Sequence, residues 1–347
     1  MAHVEDVRLY PLKFEPIYKE KVWGGRTLER LGRSLPGDAE TKIGESWELA
    51  DLGQTSASGG GGGAERSKIA NGPLAGRTLH ELMERFGPLL LGDLQPNAFG
   101  EFPLLLKFLD ARQNLSVQVH PRPEYAEAHD DAFLKSEAWY IIDAEPGAVI
   151  YKGIEEGVTP EQFREAIEKN EVEPLMIKVP VHAGDCHYLP SGTCHALGAG
   201  VLVAEVQTPS DTTFRVYDWG RTGRELHVDQ AMASMHFGPA RTQDNEKLAM
   251  LRSNSTTLFR LVSCDYFRID KVEASAGHAQ EVAYDQPVLW MVLQGEAKIT
   301  SEGGDTDLAA GDTLLIPPAM RGGRFEVAED TIWLEVSFPQ ATPTQIA

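Results

Sequence analysis

The sequence predicts a mainly β protein with a few added helices, and three observations support this class. Short strand-like segments, broken by Gly and Pro, recur along most of the 347 residues. Apolar residues at helical spacing occur in only two stretches. A unit containing Gly-Asp and a later Pro occurs twice, which indicates two copies of one β unit. Strands at this spacing favour a sandwich or a barrel over alternating strands and helices.

Two stretches predict the helices, and each begins with a capping signal. Residues 77–91 carry apolar side chains at helical spacing after Thr78, a candidate N-cap. Residues 159–170 begin with Thr159 as the cap and Pro160 at the first helical position, where its missing N–H costs nothing. We therefore expect one amphipathic helix from each stretch.

The remaining apolar segments read as strands separated by loops. Residues 56–67 contain consecutive glycines without the Lys-Ser or Lys-Thr of a phosphate loop, so they predict a mobile surface loop. Residues 241–257 are polar, lack alternation and predict a linker, which divides the chain into domains 1–240 and 258–347. The clearest predicted strands are 115–119, 138–142, 201–207, 212–217, 288–293 and 313–316.

The internal repeat joins residues 181–195 to residues 308–322. In the first copy His195 follows Pro190 by five residues, whereas the second copy has Gly322 at that spacing. The repeat thus predicts two copies of one β unit, of which only the first carries a histidine for chemistry at this position. The matched residues are Gly184, Asp185 and Pro190 in the first copy and Gly311, Asp312 and Pro317 in the second.

Composition restricts the class of partner. Lys plus Arg number 32 and Asp plus Glu number 52, which gives a formal net charge of −20. A surface this acidic repels nucleic acids and anionic membranes, so a phosphorylated substrate needs a local basic pocket. The start of the sequence lacks a secretory signal, and the three cysteines form no CxxC pair. These features predict a cytoplasmic protein without a cysteine-based zinc site.

A constellation of metal-binding residue types surrounds one predicted strand. Alternation places Ser116, Gln118 and His120 on one face of this strand, with apolar residues on the other. Glu137 follows at the start of an apolar strand, and His195 ends the first repeat copy. Two imidazoles and a carboxylate, with Gln118 as a fourth oxygen ligand or only a neighbour, suit Zn²⁺, Fe²⁺ or Mn²⁺. Either histidine alone could equally be a strand-end or hydrogen-bonded core residue.

The spacing of these residues resembles a known superfamily. Gly184, Pro190, Gly192 and His195 fit the second cupin motif, and cupins are small β-barrels that hold a metal inside. In place of the usual His-x-His, the chain has Gln118-x-His120 with Glu137 further on. In this form it resembles the type I phosphomannose isomerase family, in its short bacterial form. Further similar stretches are 22–25, 43–48, 102–107, 115–121, 192–197 and 205–219.

The resemblance implies two cupin-like jelly-roll β-barrel domains, one metal-bearing and one degenerate. It implies the interconversion of mannose 6-phosphate and fructose 6-phosphate through a cis-enediol, with one zinc ion per chain. The implied zinc ligands are Gln118, His120, Glu137 and His195. Arg215 matches the catalytic arginine of the family, a cation beside the developing enediolate.

The resemblance also implies which side chains bind the phosphosugar. Lys107 and Lys135 are the candidate phosphate cations, and Ser116 is a candidate hydrogen-bond donor. Trp23 is expected to form a wall of the pocket. Glu205 could be the general base, a partner of a metal ligand, or an acid paired with Arg215. A zinc-bound hydroxide is another candidate for the base, which stays unassigned. The oligomeric state is expected to be a monomer or a homodimer.

Two alternative functions fit parts of the pattern. Two histidines and a carboxylate also describe the site of an iron-dependent cupin oxygenase. Such an enzyme needs no phosphate cations, whereas this chain has Arg215 and Lys107. A non-catalytic sugar-binding cupin would be expected to lack part of the ligand set or Arg215, as the second repeat copy does.

Overall fold

The computed structural model describes residues 8–56, 58, 63–240 and 250–339. The chain divides into two compact units. The first unit comprises the described residues within Pro16–Ser67 and Glu101–Gln243, and the second those within Met1–Glu15, Lys68–Gly100 and Asp244–Ala347. Both units are discontinuous in sequence, so the contiguous boundaries 1–240 and 258–347 do not coincide with them.

Strands dominate both units. The described helices are α1 (Leu79–Leu91), α2 (Pro123–Ala128), α3 (Pro160–Lys169) and α4 (Val228–Ser234). Strands β1 to β14 are β1 (Leu12–Lys13), β2 (Ile17–Gly25), β3 (Ile43–Leu49), β4 (Asp51–Leu52), β5 (Glu65–Arg66), β6 (Leu105–Ala111), β7 (Val117–Val119), β8 (Glu137–Ala144), β9 (Val149–Ile154), β10 (Met176–Pro180), β11 (Cys186–Leu189), β12 (His195–Leu197), β13 (Val201–Gln207) and β14 (Phe214–Tyr217). Strands β15 to β24 are β15 (Met250–Arg252), β16 (Thr256–Ser263), β17 (Arg268–Ala274), β18 (Ala279–Glu281), β19 (Val288–Gln294), β20 (Glu296–Thr300), β21 (Thr306–Ala309), β22 (Thr313–Ile316), β23 (Arg324–Val327) and β24 (Thr331–Ser337).

The two units share one sheet topology. The first unit has sheets ordered β11-β8-β13-β6-β3-β2 and β10-β9-β12-β7-β14. The second unit has β22-β19-β24-β17-β16-β15, extended at one end by β1, and β21-β20-β23-β18. Each strand in the two sheets of the first unit, except β14, has a counterpart at the same place in the two sheets of the second unit, where β1 is the additional strand. The prediction of two cupin-like units in a mainly β fold with added helices is therefore confirmed.

Both predicted helices form with the expected caps. Thr78 and Thr159 each accept a hydrogen bond from the backbone N–H three residues on, and the side chains of Glu81 and Gln162 accept one from the backbone N–H of the cap residue. The first helix is interrupted by non-helical backbone at Phe86, two residues before a proline inside the helix. Helices α2 and α4, of six and seven residues, were not predicted because they are too short to show periodicity.

The predicted strands correspond to β7, β8, β13, β14, β19 and β22, with shifts at their ends. Two connecting segments differ from expectation. Residues 250–257 of the predicted linker contain β15 and the start of β16, which pair as a hairpin; residues 241–249 lie outside the described part. Within the predicted glycine-rich loop, β5 pairs with β4, and residues 57 and 59–62 lie outside the described part.

The core of the first unit explains the alternation seen in the sequence. Val117 and Val119 of β7 are fully buried in one apolar cluster, so the intervening Gln118 faces the opposite side. A second apolar cluster, which includes Trp139 and Val203, fills the space between its sheets. Among the described residues, no helix combines the length and apolar character needed to cross a membrane.

Candidate metal centre and active-site cavity

Three strands of the first unit bring the predicted metal ligands together. Gln118 on β7 lies directly opposite His195 on β12 in the antiparallel register. Glu137 is the first residue of β8, and His120 follows the end of β7. The two histidines and Glu137 are at most 1% exposed. Their donor atoms all lie within 4.8 Å of one another, which is close enough for one metal ion to be held by all three.

The Glu137 carboxylate lies between the two imidazoles. Its Oε2 is 3.3 Å from His120 Nε2, and its Oε1 is 3.2 Å from His195 Nε2. Glu137 Oε1, Glu137 Oε2 and His120 Nε2 all lack a partner in hydrogen-bond geometry among the described residues, although Lys135 Nζ lies 3.0 Å from Oε2 as an ion-pair partner. Buried polar atoms without partners are rare in folded proteins, so their convergence indicates a site for an ion.

Backbone carbonyls fix the tautomer of both imidazoles. His120 Nδ1 lies 3.0 Å from the Thr212 carbonyl oxygen, and His195 Nδ1 lies 2.8 Å from the Thr193 carbonyl oxygen. A carbonyl oxygen can only accept a hydrogen bond, so both Nδ1 atoms are the donors. In a neutral ring the other nitrogen, Nε2, then carries the lone pair. Those lone pairs point at Glu137, an arrangement typical of metal-binding histidines held by an outer partner.

The charge states of the site favour a cation over a shared proton. Burial, followed by the charge of Lys135, lowers the pKa of His120 to about 3, so its ring is neutral at pH 7. Burial alone would raise the pKa of Glu137, but Lys135 and His120 outweigh it and hold that pKa well below its usual value. Two imidazole nitrogens and one carboxylate form a donor set that fits a divalent metal.

Gln118 reaches the same point from the neighbouring strand. Its Nε2 lies 3.3 Å from His195 Nε2. Amide oxygen and nitrogen exchange places by a half-turn of the amide group, which would direct Oε1 at the ion site. The geometry is compatible with a fourth ligand and with a neighbour that only hydrogen-bonds to His195.

A cavity of about 650 Å³, open mouth included, lies next to this cluster. The structure brings all six other predicted site residues together in its wall, together with Gln118. Those six residues are Trp23, Lys107, Ser116, Lys135, Glu205 and Arg215. The two histidines and Glu137 lie behind this wall: Gln118 Nε2 is 3.3 Å from His195 Nε2 and Lys135 Nζ is 3.0 Å from Glu137 Oε2, so the metal cluster adjoins the cavity.

Arg215 is a buried cation without a carboxylate partner among the described residues. It is 8% exposed, and it lies opposite Gln118 in the pairing of β14 with β7. Its Nε donates to Ser116 Oγ at 3.3 Å, and its Nη1 donates to the Glu225 carbonyl oxygen at 2.9 Å. Burial, followed by the charge of Arg224, lowers the pKa of this guanidinium. Nη2 remains as a donor for an anion in the cavity.

Lys107 and Glu205 form a buried pair in the opposite wall. Lys107 Nζ is 3.1 Å from Glu205 Oε1 and donates to Gln207 Oε1 at 2.7 Å. Burial opposes the charge of Lys107, but Glu205 and then Glu45 outweigh it and raise its pKa. The other Glu205 oxygen accepts from Trp139 Nε1 at 2.9 Å. Glu205 is therefore paired with Lys107, and the expectation that it could pair with Arg215 is wrong.

Lys135 contacts a predicted metal ligand directly, which its predicted role as a phosphate cation does not require. Its Nζ is 3.0 Å from Glu137 Oε2. It also lowers the pKa of both His120 and Glu137, as described above. This lysine therefore acts electrostatically on the metal cluster as well as lining the cavity.

Sequence reasoning missed several residues of the cavity wall. Glu20 and Gly25 both pair with Ile43, so residues 21–24 of β2 bulge out of the ladder. A Cβ on Gly44 would lie 2.6 Å from Lys21 Cβ and 2.8 Å from Trp23 Cζ3, so only glycine permits this bulge. The signal available in the sequence was the glycine-rich pattern around Trp23. The missed residues are Lys21, Glu45, Trp47, Asp211, Thr213 and Arg224.

The second unit carries no such ligand cluster among its described residues. Phe325 on β23 lies opposite Gln280 and Ile299, as His195 lies opposite Gln118 and Lys152. The counterpart of His195 is therefore Phe325, and the match to Gly322 by spacing is wrong. Phe325 follows Pro317 by eight residues, whereas His195 follows Pro190 by five. Because the connection in the second copy is longer, equal spacing from the proline does not identify equivalent residues.

Comparisons with known proteins agree with this geometry. A family model described as phosphomannose isomerase type I, catalytic domain, matches residues 11–147. The chain is 35% identical to the probable mannose-6-phosphate isomerase GmuF of Bacillus subtilis over 345 residues, covering 95% of this chain and 99% of that protein. It is 36% identical to the mannose-6-phosphate isomerase ManA of the same organism, covering 88% and 93%.

A solved structure is similar over the same extent. The crystal structure of the mannose 6-phosphate isomerase from Bacillus subtilis matches with a TM-score of 0.81 and 30% sequence identity. The match covers 94% of this chain and 99% of that chain. Both units of the fold are therefore included in the similarity.

Proposed function

The chain belongs to the type I phosphomannose isomerase family, and from this membership we infer that it interconverts mannose 6-phosphate and fructose 6-phosphate. The observation that carries this proposal is the cavity itself. The buried guanidinium of Arg215 lines one polar cavity, and Gln118 and Lys135 of the same wall lie within 3.3 Å of His195 and Glu137 in the metal cluster. Isomerisation through a cis-enediol needs this combination, because a metal can polarise the carbonyl and a cation can stabilise the charge that develops on the enediolate.

We propose that His120, Glu137 and His195, with Gln118 as the fourth ligand, hold one zinc ion per chain. The nitrogen and oxygen donors of this set suit zinc, and both histidine tautomers are already fixed for binding. A zinc ion held by these residues would supply a Lewis acid for polarising the sugar carbonyl. The deep burial of the three residues excludes bulk water from that end of the cavity.

The phosphosugar is proposed to use cations that are not already neutralised. Lys107 and Lys135 each lie within about 3 Å of a buried carboxylate, so much of their charge is compensated locally. Arg215 has no such partner among the described residues, and Arg224 lies beside it with Asp218 as its counter-ion. We place the enediolate oxygen that gains negative charge at Arg215, with Ser116 holding the guanidinium and Trp23 forming the wall.

Transfer of the carbon-bound proton needs a group at the cavity that can accept and return a proton. Glu205 is engaged by Trp139 and Lys107, which makes it a positioning group in this proposal rather than the base. Asp211 lines the cavity, and one of its oxygens accepts from the Ser56 backbone at 2.9 Å. Burial raises the pKa of Asp211 above its usual value, which is the direction that favours a carboxyl in proton transfer. Asp211 is our candidate for the proton-transfer residue.

A coupled assay tests the proposal directly. The zinc-loaded protein is expected to convert mannose 6-phosphate to fructose 6-phosphate and to lose this activity in a chelator. Absence of conversion by the zinc-loaded protein contradicts the isomerase. Iron in the purified protein together with oxygen uptake would favour the oxygenase instead. The cytoplasmic location and a monomeric or homodimeric state remain predictions, for fractionation and sedimentation experiments.

A further inference from the structure

The backbone of Arg215 is held from outside the sheet by one residue, His227. The Arg215 N–H donates to His227 Nδ1 at 3.3 Å. The His227 N–H donates to the Arg215 carbonyl oxygen at 2.7 Å. Two residues earlier, the Glu225 carbonyl oxygen accepts from Arg215 Nη1 at 2.9 Å. Three hydrogen bonds therefore join Arg215 to the segment 225–227.

This contact matters because β14 is the edge strand of its sheet. An edge strand leaves every second residue with an N–H and a carbonyl that no neighbouring strand satisfies. Arg215 is such a residue, and it is buried, so unsatisfied groups there would be costly. His227 satisfies both groups, one with its backbone and one with its imidazole.

The imidazole can accept this bond only in one state. Nδ1 accepts from a backbone N–H, so it carries the lone pair, and the proton of the neutral ring is on Nε2. His227 is 8% exposed, and burial followed by the charge of Arg215 lowers its pKa, in keeping with a neutral ring. Its own carbonyl accepts from the Ala231 N–H, which connects the contact to α4.

We propose that His227 is a positioning residue that fixes Arg215, and through it the guanidinium, at the cavity wall. The inference rests on the proposed function, in which this guanidinium stabilises charge that develops during isomerisation. Loss of the Nδ1 contact would let β14 shift away from Ser116, and displacements of about 1 Å at a reacting group reduce turnover by about 100-fold. The effect falls on kcat more than on KM, because the developing charge exists only in the transition state.

Two matched variants separate the hydrogen bond from simple packing. His227→Phe keeps a buried ring and removes the acceptor, whereas His227→Asn loses the ring and keeps an acceptor near the Nδ1 position. We expect kcat to fall about 10- to 100-fold in His227→Phe and to recover most of that loss in His227→Asn, with KM within about threefold of the unsubstituted enzyme. Equal kcat in His227→Phe and the unsubstituted enzyme, or equal losses in both variants, overturns the proposal.

A double-mutant cycle tests whether the effect passes through Arg215. In an Arg215→Ala background, His227→Phe is expected to cause no further loss of kcat, and a further loss as large as in the native background contradicts the proposal. Nitrogen NMR of the imidazoles gives a readout without turnover: the proposal requires an unprotonated Nδ1 on His227 at pH 7, and a protonated Nδ1 overturns it. If the unsubstituted zinc-loaded enzyme fails to convert mannose 6-phosphate, the proposed function fails, while the NMR result still decides the contact itself.

Discussion

The two units of this chain have the same strand order but differ in the side chains that fill their interiors. By register, Trp139 on β8 and Trp290 on β19 occupy equivalent places, and both donate their indole N–H to a glutamate on the next strand. Those glutamates, Glu205 and Glu335, lie directly opposite the tryptophans in both sheets. The repeat thus retained a tryptophan–glutamate pair even where it lost the metal cluster.

The units differ in what surrounds that pair. Trp139 packs edge-on against His195 at 5.4 Å between ring centroids, whereas Trp290 packs against Phe325 at 5.0 Å. Of the four ligand positions, three have apolar counterparts in the second unit, and only Gln118 is matched by a residue of the same type, Gln280. The register matches Gln118, His120, Glu137 and His195 with Gln280, Val282, Val288 and Phe325. An aromatic and aliphatic core therefore fills the space that polar ligands occupy in the first unit, so metal binding is a property of these side chains and not of the fold.

The largest effect is expected when His195 of the first unit is replaced by phenylalanine, the residue at the equivalent position of the second unit. His195→Phe removes one ligand while keeping a buried ring, so we expect loss of bound zinc and a drop in activity of more than about 100-fold. Metal analysis and the coupled assay measure both. Phe325→Leu in the second unit is the matched control and is expected to keep zinc and activity. Retention of stoichiometric zinc in His195→Phe would contradict the ligand assignment.

The strand β14 has no counterpart in the second unit, and it carries Arg215. We expect Arg215→Ala to lower kcat by about 100- to 1000-fold, the usual cost of removing one donor to a developing oxyanion, with zinc content unchanged. The exposed Arg324 on β23 supplies the control, because Arg324→Ala removes a cation from the second unit without touching the cavity. Similar kcat values for the two variants would refute the role of Arg215.

The shared tryptophan–glutamate pair allows a stability comparison between the units. Glu205→Gln leaves the buried Lys107 without its carboxylate and is expected to lower the free energy of unfolding by about 3 kcal/mol. Glu335→Gln is expected to cost about 1 kcal/mol or less, because burial already raises the pKa of Glu335 and an amide oxygen can still accept from Tyr284 and Trp290. Calorimetry of both variants measures the difference, and the reverse order of stabilities would contradict it.

The smallest effect concerns pH. His187 pairs with Trp139, and its counterpart Leu314 pairs with Trp290. Burial, followed by Lys152, lowers the pKa of His187 to about 4. The unfolded chain binds this proton below about pH 6.5 but the folded chain does not, so stability is lost as the pH falls from about 6.5 towards 4. We expect a loss of about 1–2 kcal/mol at pH 5 that His187→Leu abolishes, seen in urea unfolding at pH 7 and pH 5. An unchanged pH dependence in the variant would exclude His187 as its source.

Local patterns predicted much of the site because the relevant information lies in short segments. Alternation alone placed Ser116, Gln118 and His120 on one face, and the structure confirms their separation from the apolar core. Motif spacing identified Glu137 and His195, which the fold brings to the same point.

Long-range pairing was not predictable in this way. Residues 68–100 contact strands that begin more than 150 residues later in the chain, and nothing local in their sequence indicates which unit they join. Asp211 and Arg224 were missed because they lie outside the regular elements, where no periodicity indicates the direction of a side chain.

The pairing of β1 with β22 has a consequence for how the protein is made. Leu12 and Lys13 lie opposite Leu315 and Leu314. The first described strand can therefore pair with its neighbour only after nearly the entire polypeptide has been synthesised. The strands of the metal-binding unit, by contrast, are all present once about 220 residues have left the ribosome. We expect that unit to fold first during synthesis, with the second unit closing last around the returning N-terminal segment.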